Sequence, residues 1–177
     1  TINGMFLDPI EERVIDYVGG REDLERGVVR AIGDPTARLE EDKLRMLRAV
    51  RLASRLGFTI EPETWSVITR HAADIDRIAW ERIGEEIRLI LCEGAAKRGF
   101  ELLHASGLLA TVMPELLAME GCAQTPLHHP EGDVWTHTLL VIDQLRTPTE
   151  TLALGALLHD VAKPVCAGRK STPEGER

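Results

Sequence analysis

The sequence has few cysteines and few aromatic residues. Its three cysteines are odd in number and widely spaced, at Cys92, Cys122 and Cys166. This pattern excludes a disulfide framework and a zinc-binding motif, and it favours a reducing, cytosolic setting. Aromatic residues make up 4% of the chain and hydrophobic residues 44%, mostly Leu, Ala, Val and Ile. Such a composition favours packed helices over a β-sandwich.

Long apolar runs and an excess of basic charge are also missing. The most apolar stretch, from Leu108 to Met119, is interrupted by Pro114 and Glu115 and is too short to span a bilayer. No signal peptide is visible, and the start at Thr1 without Met predicts a processed product or part of a longer chain. The net charge of −8 excludes a broadly basic surface, so any RNA contact is expected to be local.

Local signals predict an all-α fold with one short strand near the N-terminus. Residues Val14 to Val18 are β-branched and end at a Gly pair, which predicts a strand whose partners are missing or lie elsewhere. A long helix is predicted from about 36 to Leu56, with a cap at Asp34 or Thr36 and a stop at Gly57. Further helices are predicted at 62–71, 81–91, 94–105, 134–145 and 150–161.

The most informative feature is a row of acids and arginines on the long predicted helix. It consists of Glu41, Asp42, Arg45, Arg48 and Arg51. One interpretation is a solvated face with i,i+4 ion pairs, which is what charge rows usually mean. The other is a face that bonds a nucleobase edge and phosphates, because carboxylates accept and guanidinium groups donate in planar pairs.

The order of motifs around this row decides between the two interpretations. It runs Thr1-Ile2-Asn3, the Gly19-Gly20 turn, Gly33-Asp34-Pro35, and then Glu41-Asp42-x-x-Arg45-x-x-Arg48. Over residues 1–93 this order resembles the class II CCA-adding tRNA nucleotidyltransferase and bacterial poly(A) polymerase family. The resemblance implies an enzyme that adds C and A nucleotides to a tRNA 3′ end, or synthesises poly(A), without a nucleic-acid template.

The resemblance also implies residue roles. Asp42 and Arg45 would bond the base edge of CTP or ATP, with Glu41, Arg48 and Arg51 completing the nucleotide site. Cytosine and adenine carry an exocyclic amine on the pairing edge, whereas uracil and guanine carry a carbonyl there. A fixed Asp–Arg pair therefore favours C and A. In the family's next motif, matched by Glu81-Arg82-Ile83-x-x-Glu86, Arg82 is a candidate contact for the RNA end or a salt-bridged helix residue.

The resemblance predicts four segments: residues 1–30 from the end of a nucleotidyltransferase head, 31–93 as a neck, 94–133 as a body, and 134–177 as a truncated HD subdomain. The family's Gly-Ser loop followed by an Asp-x-Asp pair, which would bind Mg²⁺, does not occur in these residues. The chain by itself is therefore expected to be inactive in transfer. The expected partners are tRNA or other RNA, CTP and ATP, in the cytoplasm and without a membrane.

A second constellation lies near the C-terminus. His137 on one predicted helix, and His159-Asp160 near the end of the next, match the start of an HD-type metal phosphohydrolase pattern. The flanking segments 129–137 and 157–164 resemble the HD region attached to some bacterial members of the same family. His137, His159 and Asp160 would form a partial site for a divalent metal. His128 and His129 are candidate extra ligands, although loop histidines beside Pro are more often solvated.

Two other functions stay open on the sequence alone. One is an HD phosphohydrolase with a helical regulatory domain, which the ordered motifs of residues 1–60 disfavour. The other is a non-catalytic RNA-binding module, which the negative net charge disfavours. The sequence separates neither CCA addition from CC-only, A-only or poly(A) addition nor one oligomeric state from another.

Overall fold

Helices form most of the chain, and the strands are short. The structure is a computed structural model that describes residues 1–124 and 130–166, together with the backbone of two short strands at 171–172 and 175–176. Those last strands, β5 (Ser171–Thr172) and β6 (Gly175–Glu176), pair with each other. The predominantly helical class expected from composition is confirmed. His128 and His129 lie outside the described residues.

The N-terminal strand has its partner immediately before it in the chain. After a short 3-10 turn, β1 (Met5–Asp8) pairs with β2 (Arg13–Asp16) in an antiparallel hairpin. The sequence analysis did not recognise β1, because its three apolar residues do not alternate with polar ones and Pro9 follows directly. β2 ends two residues earlier than predicted. The Asp16 carboxylate accepts backbone N–H groups of Arg21, Val18 and Gly20, which turn the chain and lower the pKa of Asp16 to about 2.

The next elements carry the acid–arginine row. They are α1 (Gly20–Arg26), β3 (Val28–Val29), α2 (Pro35–Glu41) and α3 (Arg45–Leu56), and β3 pairs in parallel with β4 (Thr59–Ile60). The Asp34 carboxylate caps α2 by accepting from the Thr36 N–H at 2.9 Å, as predicted. Gly57 ends α3 with φ +69°, the left-handed conformation that glycine adopts most easily.

The prediction of one helix from 36 to Leu56 is wrong. The helix breaks at Asp42, whose backbone is extended (φ −155°, ψ 105°), and α3 begins three residues later. The Asp42 side chain causes the break, because its Oδ1 accepts the Leu44 N–H at 3.1 Å and gives the backbone an alternative to the helical hydrogen bond.

The five other predicted helices all form in the predicted order, and three short helices accompany them in the described part of the chain. They are α4 (Pro62–His71), a 3-10 segment (Ala72–Arg77), α5 (Trp80–Cys92), α6 (Ala96–Ser106), α7 (Leu108–Val112), α8 (Pro114–Leu117), α9 (Val134–Asp143), α10 (Glu150–Leu158) and α11 (Lys163–Cys166). The helix predicted at 150–161 ends earlier, so His159 and Asp160 lie in the turn that follows α10.

One hydrophobic core connects every helix from α2 to α10. It includes Leu47 and Val50 of α3, Phe100 of α6 and Leu157 of α10, all fully buried. The helix α6 approaches α5 closely at Gly99, where an added Cβ would lie 2.4 Å from the Ile90 Cγ2. Among the described residues, none of the helices has the length and apolar character needed to cross a membrane.

Candidate functional site

In the turn between α2 and α3, the neighbouring acids Glu41 and Asp42 bond different partners. The Glu41 Oε2 accepts from the Arg45 Nη1 at 2.6 Å and also bonds Arg38. The Asp42 Oδ2 accepts from the Arg82 Nη2 of α5 at 2.8 Å. Among the described residues, no hydrogen bond joins Asp42 to Arg45. The break in the helix therefore separates the two acids that a continuous helix would place on adjoining parts of one face.

Electrostatics keep the Asp42 carboxyl ionised. Burial of Asp42 raises its pKa, but hydrogen bonds from Arg82 and the Leu44 N–H outweigh that effect, so the pKa lies below its usual value. An ionised carboxylate has about four lone-pair positions, and these two bonds use two of them. Asp42 can therefore still accept a hydrogen bond from a ligand.

A buried carboxylate on α5 holds the middle of the arginine row. The Glu86 side chain is 6% exposed and accepts from the Arg48 Nε at 3.1 Å and the Arg51 Nε at 2.8 Å. Arg51 also lies 3.5 Å from Glu93, so its guanidinium joins α3 to α5. Glu86 belongs to the predicted motif that contains Arg82, but this role was not predicted from the sequence. Its signal was the position four residues after Arg82, on the same face of a helix.

The arginines line a cleft beside the N-terminal segment. The cleft has a volume of about 200 Å³. Its basic lining consists of Arg30, Arg38, Arg45 and Arg48, and its other walls include Ile2, Asn3, Ile32, Leu52 and Thr64. Of the residues predicted to bind nucleotide, Arg45 and Arg48 line the cleft, Glu41 bonds two of the lining arginines, and Asp42 and Arg51 face α5.

Two of the lining arginines were not predicted from the sequence. Arg30 is held by the buried Asp23 of α1, with its Nη2 2.9 Å and its Nε 3.2 Å from the Asp23 Oδ1. Arg38 belongs to the last turn of α2 and bonds Glu41. Four guanidinium groups thus line one small cleft in a chain of net charge −8, and each of them bonds a carboxylate, of Asp23, Glu41 or Glu86.

The second constellation also assembles. Ligand atoms of His137, His159 and Asp160 all lie within 4.8 Å of one another, and the two imidazole rings are 5.4 Å apart. His137 is carried by α9, which begins at a cap where the Asp133 Oδ1 accepts the Thr136 N–H at 2.8 Å. Two imidazole nitrogens and one carboxylate oxygen are a donor set that suits divalent transition metals, so these residues fit a metal ion.

A lysine also contacts the carboxylate of this cluster. The Lys163 Nζ lies 2.6 Å from the Asp160 Oδ2 and 2.7 Å from the Gln124 Oε1. Burial raises the pKa of Asp160, but Lys163 and His159 outweigh that effect and lower it. Asp160 is therefore ionised near neutral pH, as a metal ligand must be.

Family comparisons match two separate segments of the chain. Residues 1–30 match the family described as the poly A polymerase head domain. Residues 57–119 match the one described as a probable RNA and SrmB-binding site of polymerase A. These matches flank the acid–arginine turn in the sequence, and both contribute residues to the lining of the cleft.

Similar proteins cover nearly the whole chain. It is 39% identical over 167 residues to a multifunctional CCA protein of Nitrosospira multiformis, covering 92% of this chain and 40% of that protein. It is 39% identical over 173 residues to an A-adding tRNA nucleotidyltransferase of Deinococcus radiodurans, covering 93% and 39%. The chain thus spans about two fifths of the length of the curated relatives it matches.

Two solved structures of similar proteins share the fold of this chain. The CCA-adding enzyme of Bacillus stearothermophilus in complex with CTP superposes with a TM-score of 0.64 at 27% identity, over 93% of this chain and 45% of that one. The CCA-adding enzyme of Thermotoga maritima, complexed with a tRNA, superposes with a TM-score of 0.58 at 20% identity, over 90% and 42%. Because the second enzyme is only 20% identical, its similarity shows only that the fold is shared.

The helical array, with its arginine cleft near an acidic turn, has the fold of part of an RNA nucleotidyltransferase. The chain belongs to the class II family of CCA-adding tRNA nucleotidyltransferases and bacterial poly(A) polymerases.

Proposed function

We propose that this chain forms the base-reading neck and the body of a template-independent RNA nucleotidyltransferase that acts in the cytoplasm. Such an enzyme adds C and A to the 3′ end of a tRNA, or adenylates RNA. The observation that carries the proposal is the cleft lined by Arg45 and Arg48, next in the chain to a turn whose ionised Asp42 bonds Arg82 of α5. The segment boundaries predicted at residues 30, 93 and 133 are part of this proposal.

The chemistry of base selection follows from the two residue types. Asp42 accepts a hydrogen bond from the exocyclic amine of cytosine or adenine, and Arg45 donates to a ring nitrogen or a carbonyl oxygen. Arg48 and the other cleft arginines contact the phosphates. The Arg45 guanidinium bonds Glu41 and the Arg38 carbonyl, so its orientation is largely fixed before a nucleotide binds. A fixed orientation reduces the entropy lost on binding.

Phosphoryl transfer in the family uses a divalent ion, which we propose to be Mg²⁺. The carboxylates expected to bind it belong to a head motif that these 177 residues do not contain. Held there, the ion would supply Lewis-acid chemistry, which lowers the pKa of the 3′-hydroxyl and stabilises charge on the leaving pyrophosphate. The residues of this chain contribute recognition of the base and positive charge for the phosphates. Nucleotide binding tests both contributions.

Calorimetric titration of the chain with each of the four NTPs tests the base-reading role. We expect the wild-type chain to bind CTP and ATP more tightly than UTP and GTP. Asp42→Ala should reduce that preference by roughly tenfold, since one bidentate base contact is worth about 1–3 kcal/mol. Asp42→Asn keeps a side-chain oxygen that accepts the Leu44 N–H. It therefore preserves the turn and shows the effect of the carboxylate on base reading alone. Asp76→Ala, an exposed acid of the 3-10 segment, is the matched control. An unchanged preference in Asp42→Ala would reject the role.

The clustered His137, His159 and Asp160 favour a second activity, metal-dependent hydrolysis of phosphate esters. A bound divalent ion would supply a water molecule of lowered pKa as the nucleophile. The two imidazoles and the carboxylate would hold the ion, and Lys163 beside them would neutralise a phosphate oxygen.

Titration with Mn²⁺ and hydrolysis of p-nitrophenyl phosphate test this second candidate. The wild-type chain should bind about one Mn²⁺, and His137→Ala should remove that binding and any hydrolysis. His71→Ala, on α4, is the control, because its imidazole bonds Asp74 and does not belong to the cluster. Equal Mn²⁺ binding in His137→Ala and the wild-type chain would exclude the site.

A further inference from the structure

We propose that Glu131 is a positioning residue of the candidate metal site, which holds His137 through its Nδ1 so that the Nε2 serves as the metal ligand. The inference rests on the metal-binding function proposed above and adds a residue that neither the motif nor the sequence analysis marked. Its basis is the hydrogen bond that each of the two histidines makes at Nδ1, the ring nitrogen that faces away from the shared ligand position.

Both imidazoles of the cluster are bonded at Nδ1. The His159 Nδ1 lies 2.8 Å from the Ala156 carbonyl oxygen. A carbonyl only accepts, so this Nδ1 carries the proton and the neutral ring has its lone pair at Nε2. The His159 Nε2 lies 3.2 Å from the Asp160 Oδ2, on the side where the ligand atoms converge.

Glu131 accepts a hydrogen bond from the His137 Nδ1, as the Ala156 carbonyl does from the His159 Nδ1. The Glu131 Oε1 lies 2.6 Å from the His137 Nδ1, and both side chains are about one-fifth exposed. A carboxylate behind a histidine ligand fixes the tautomer, orients the ring and raises the basicity of the ligating nitrogen. Without Glu131, His137 would lose its Nδ1 acceptor and populate both tautomers.

The segment that carries Glu131 is fixed to the start of α9. The Asp133 carboxylate accepts both the Gly121 N–H at 2.6 Å and the Thr136 N–H at 2.8 Å. The Val134 N–H donates to the Cys122 carbonyl at 3.1 Å. These bonds join the two ends of the loop to the first turn of α9, so Glu131 approaches His137 from an anchored backbone.

Mn²⁺ titration of the whole chain, read together with histidine side-chain ¹⁵N spectra, tests the inference. Glu131→Ala should weaken Mn²⁺ binding by roughly 10- to 100-fold, the usual effect of removing an outer partner of a metal ligand. Glu131→Gln, whose amide oxygen still accepts from Nδ1–H, should lose less. In the metal-free wild-type chain the His137 ring should carry its proton on Nδ1, and Glu131→Ala should give a mixture of tautomers.

Glu120→Gln is the matched control, because Glu120 bonds His104 outside the cluster and is more than half exposed. It should leave Mn²⁺ binding and the His137 spectrum unchanged. Wild-type affinity in Glu131→Ala, with Mn²⁺ bound and dependent on His137, would overturn the inference and leave the metal site standing. A wild-type chain that binds no Mn²⁺ would overturn both.

Discussion

At the scale of single residues, buried carboxylates determine where the arginines of the cleft point. Glu86 fixes Arg48 and Arg51 from one side, and Asp23 fixes Arg30 from the other. Asp23 is buried, and it also accepts from the hydroxyl of Thr1. The hydrogen bond from Arg30 outweighs burial and lowers the pKa of the Asp23 carboxyl. Folding therefore stabilises the ionised form of Asp23.

Asp23→Asn should destabilise the chain in a pH-dependent way. Because the folded pKa is lower than the unfolded value of about 3.9, the stabilisation is complete above that value and is lost as pH falls through the folded pKa. We expect a loss of about 1–2 kcal/mol at pH 7, moderated because the Arg30 side chain is 41% exposed.

Urea unfolding at a series of pH values measures this effect. The difference between the wild-type chain and Asp23→Asn should shrink steadily below about pH 4. Glu22→Gln is the control, since the Glu22–Arg26 pair is more than 60% exposed on both sides and should contribute less than about 0.5 kcal/mol. A pH-independent difference would show that the Asp23 charge is not what stabilises the fold.

At the scale of elements, local signals predicted the helices and missed what tertiary contacts decide. Helix α4 begins and ends where predicted, because Pro62 is favoured in a first helical turn and its preceding Glu61 caps it. The break at Asp42 had only one local signal, the aspartate itself, since Glu41, Lys43 and Leu44 all favour helices. It depends on the Leu44 N–H and on Arg82, which is 40 residues away.

For the two sites, too, the sequence predicted some features, and others depend on tertiary contacts. The clustering of His137 with His159 and Asp160 was predicted from an HD-type pattern on two consecutive helices, although His159 and Asp160 lie in the turn after α10. The acid–arginine row was predicted as a site, but its internal pairing was not. Arg48 bonds a glutamate on another helix, and no sequence period indicates contacts between helices. The nucleotide and metal roles of these residues stay predictions.

At the scale of the whole molecule, charge limits how this chain can meet RNA. Residues 57–119, which match the RNA-binding family, contain six basic and ten acidic residues. Arg51 and Arg55 are neutralised by Glu86 and Glu93. The cleft arginines bond carboxylates as well, but four of them meet at one surface, so we expect any RNA contact of the described residues to lie there.

RNA binding should accordingly show a shallow salt dependence. Each phosphate contact on a single strand contributes about −0.7 to the slope of log K against log salt. Four cleft arginines thus predict a slope no steeper than about −3. Fluorescence anisotropy of a labelled single-stranded RNA ending in CC, between about 50 and 200 mM KCl, measures this slope. Arg48→Gln should reduce it by about 0.7, whereas Arg13→Gln on the hairpin should leave it unchanged. A slope twice as steep would require a basic surface that the described residues do not provide.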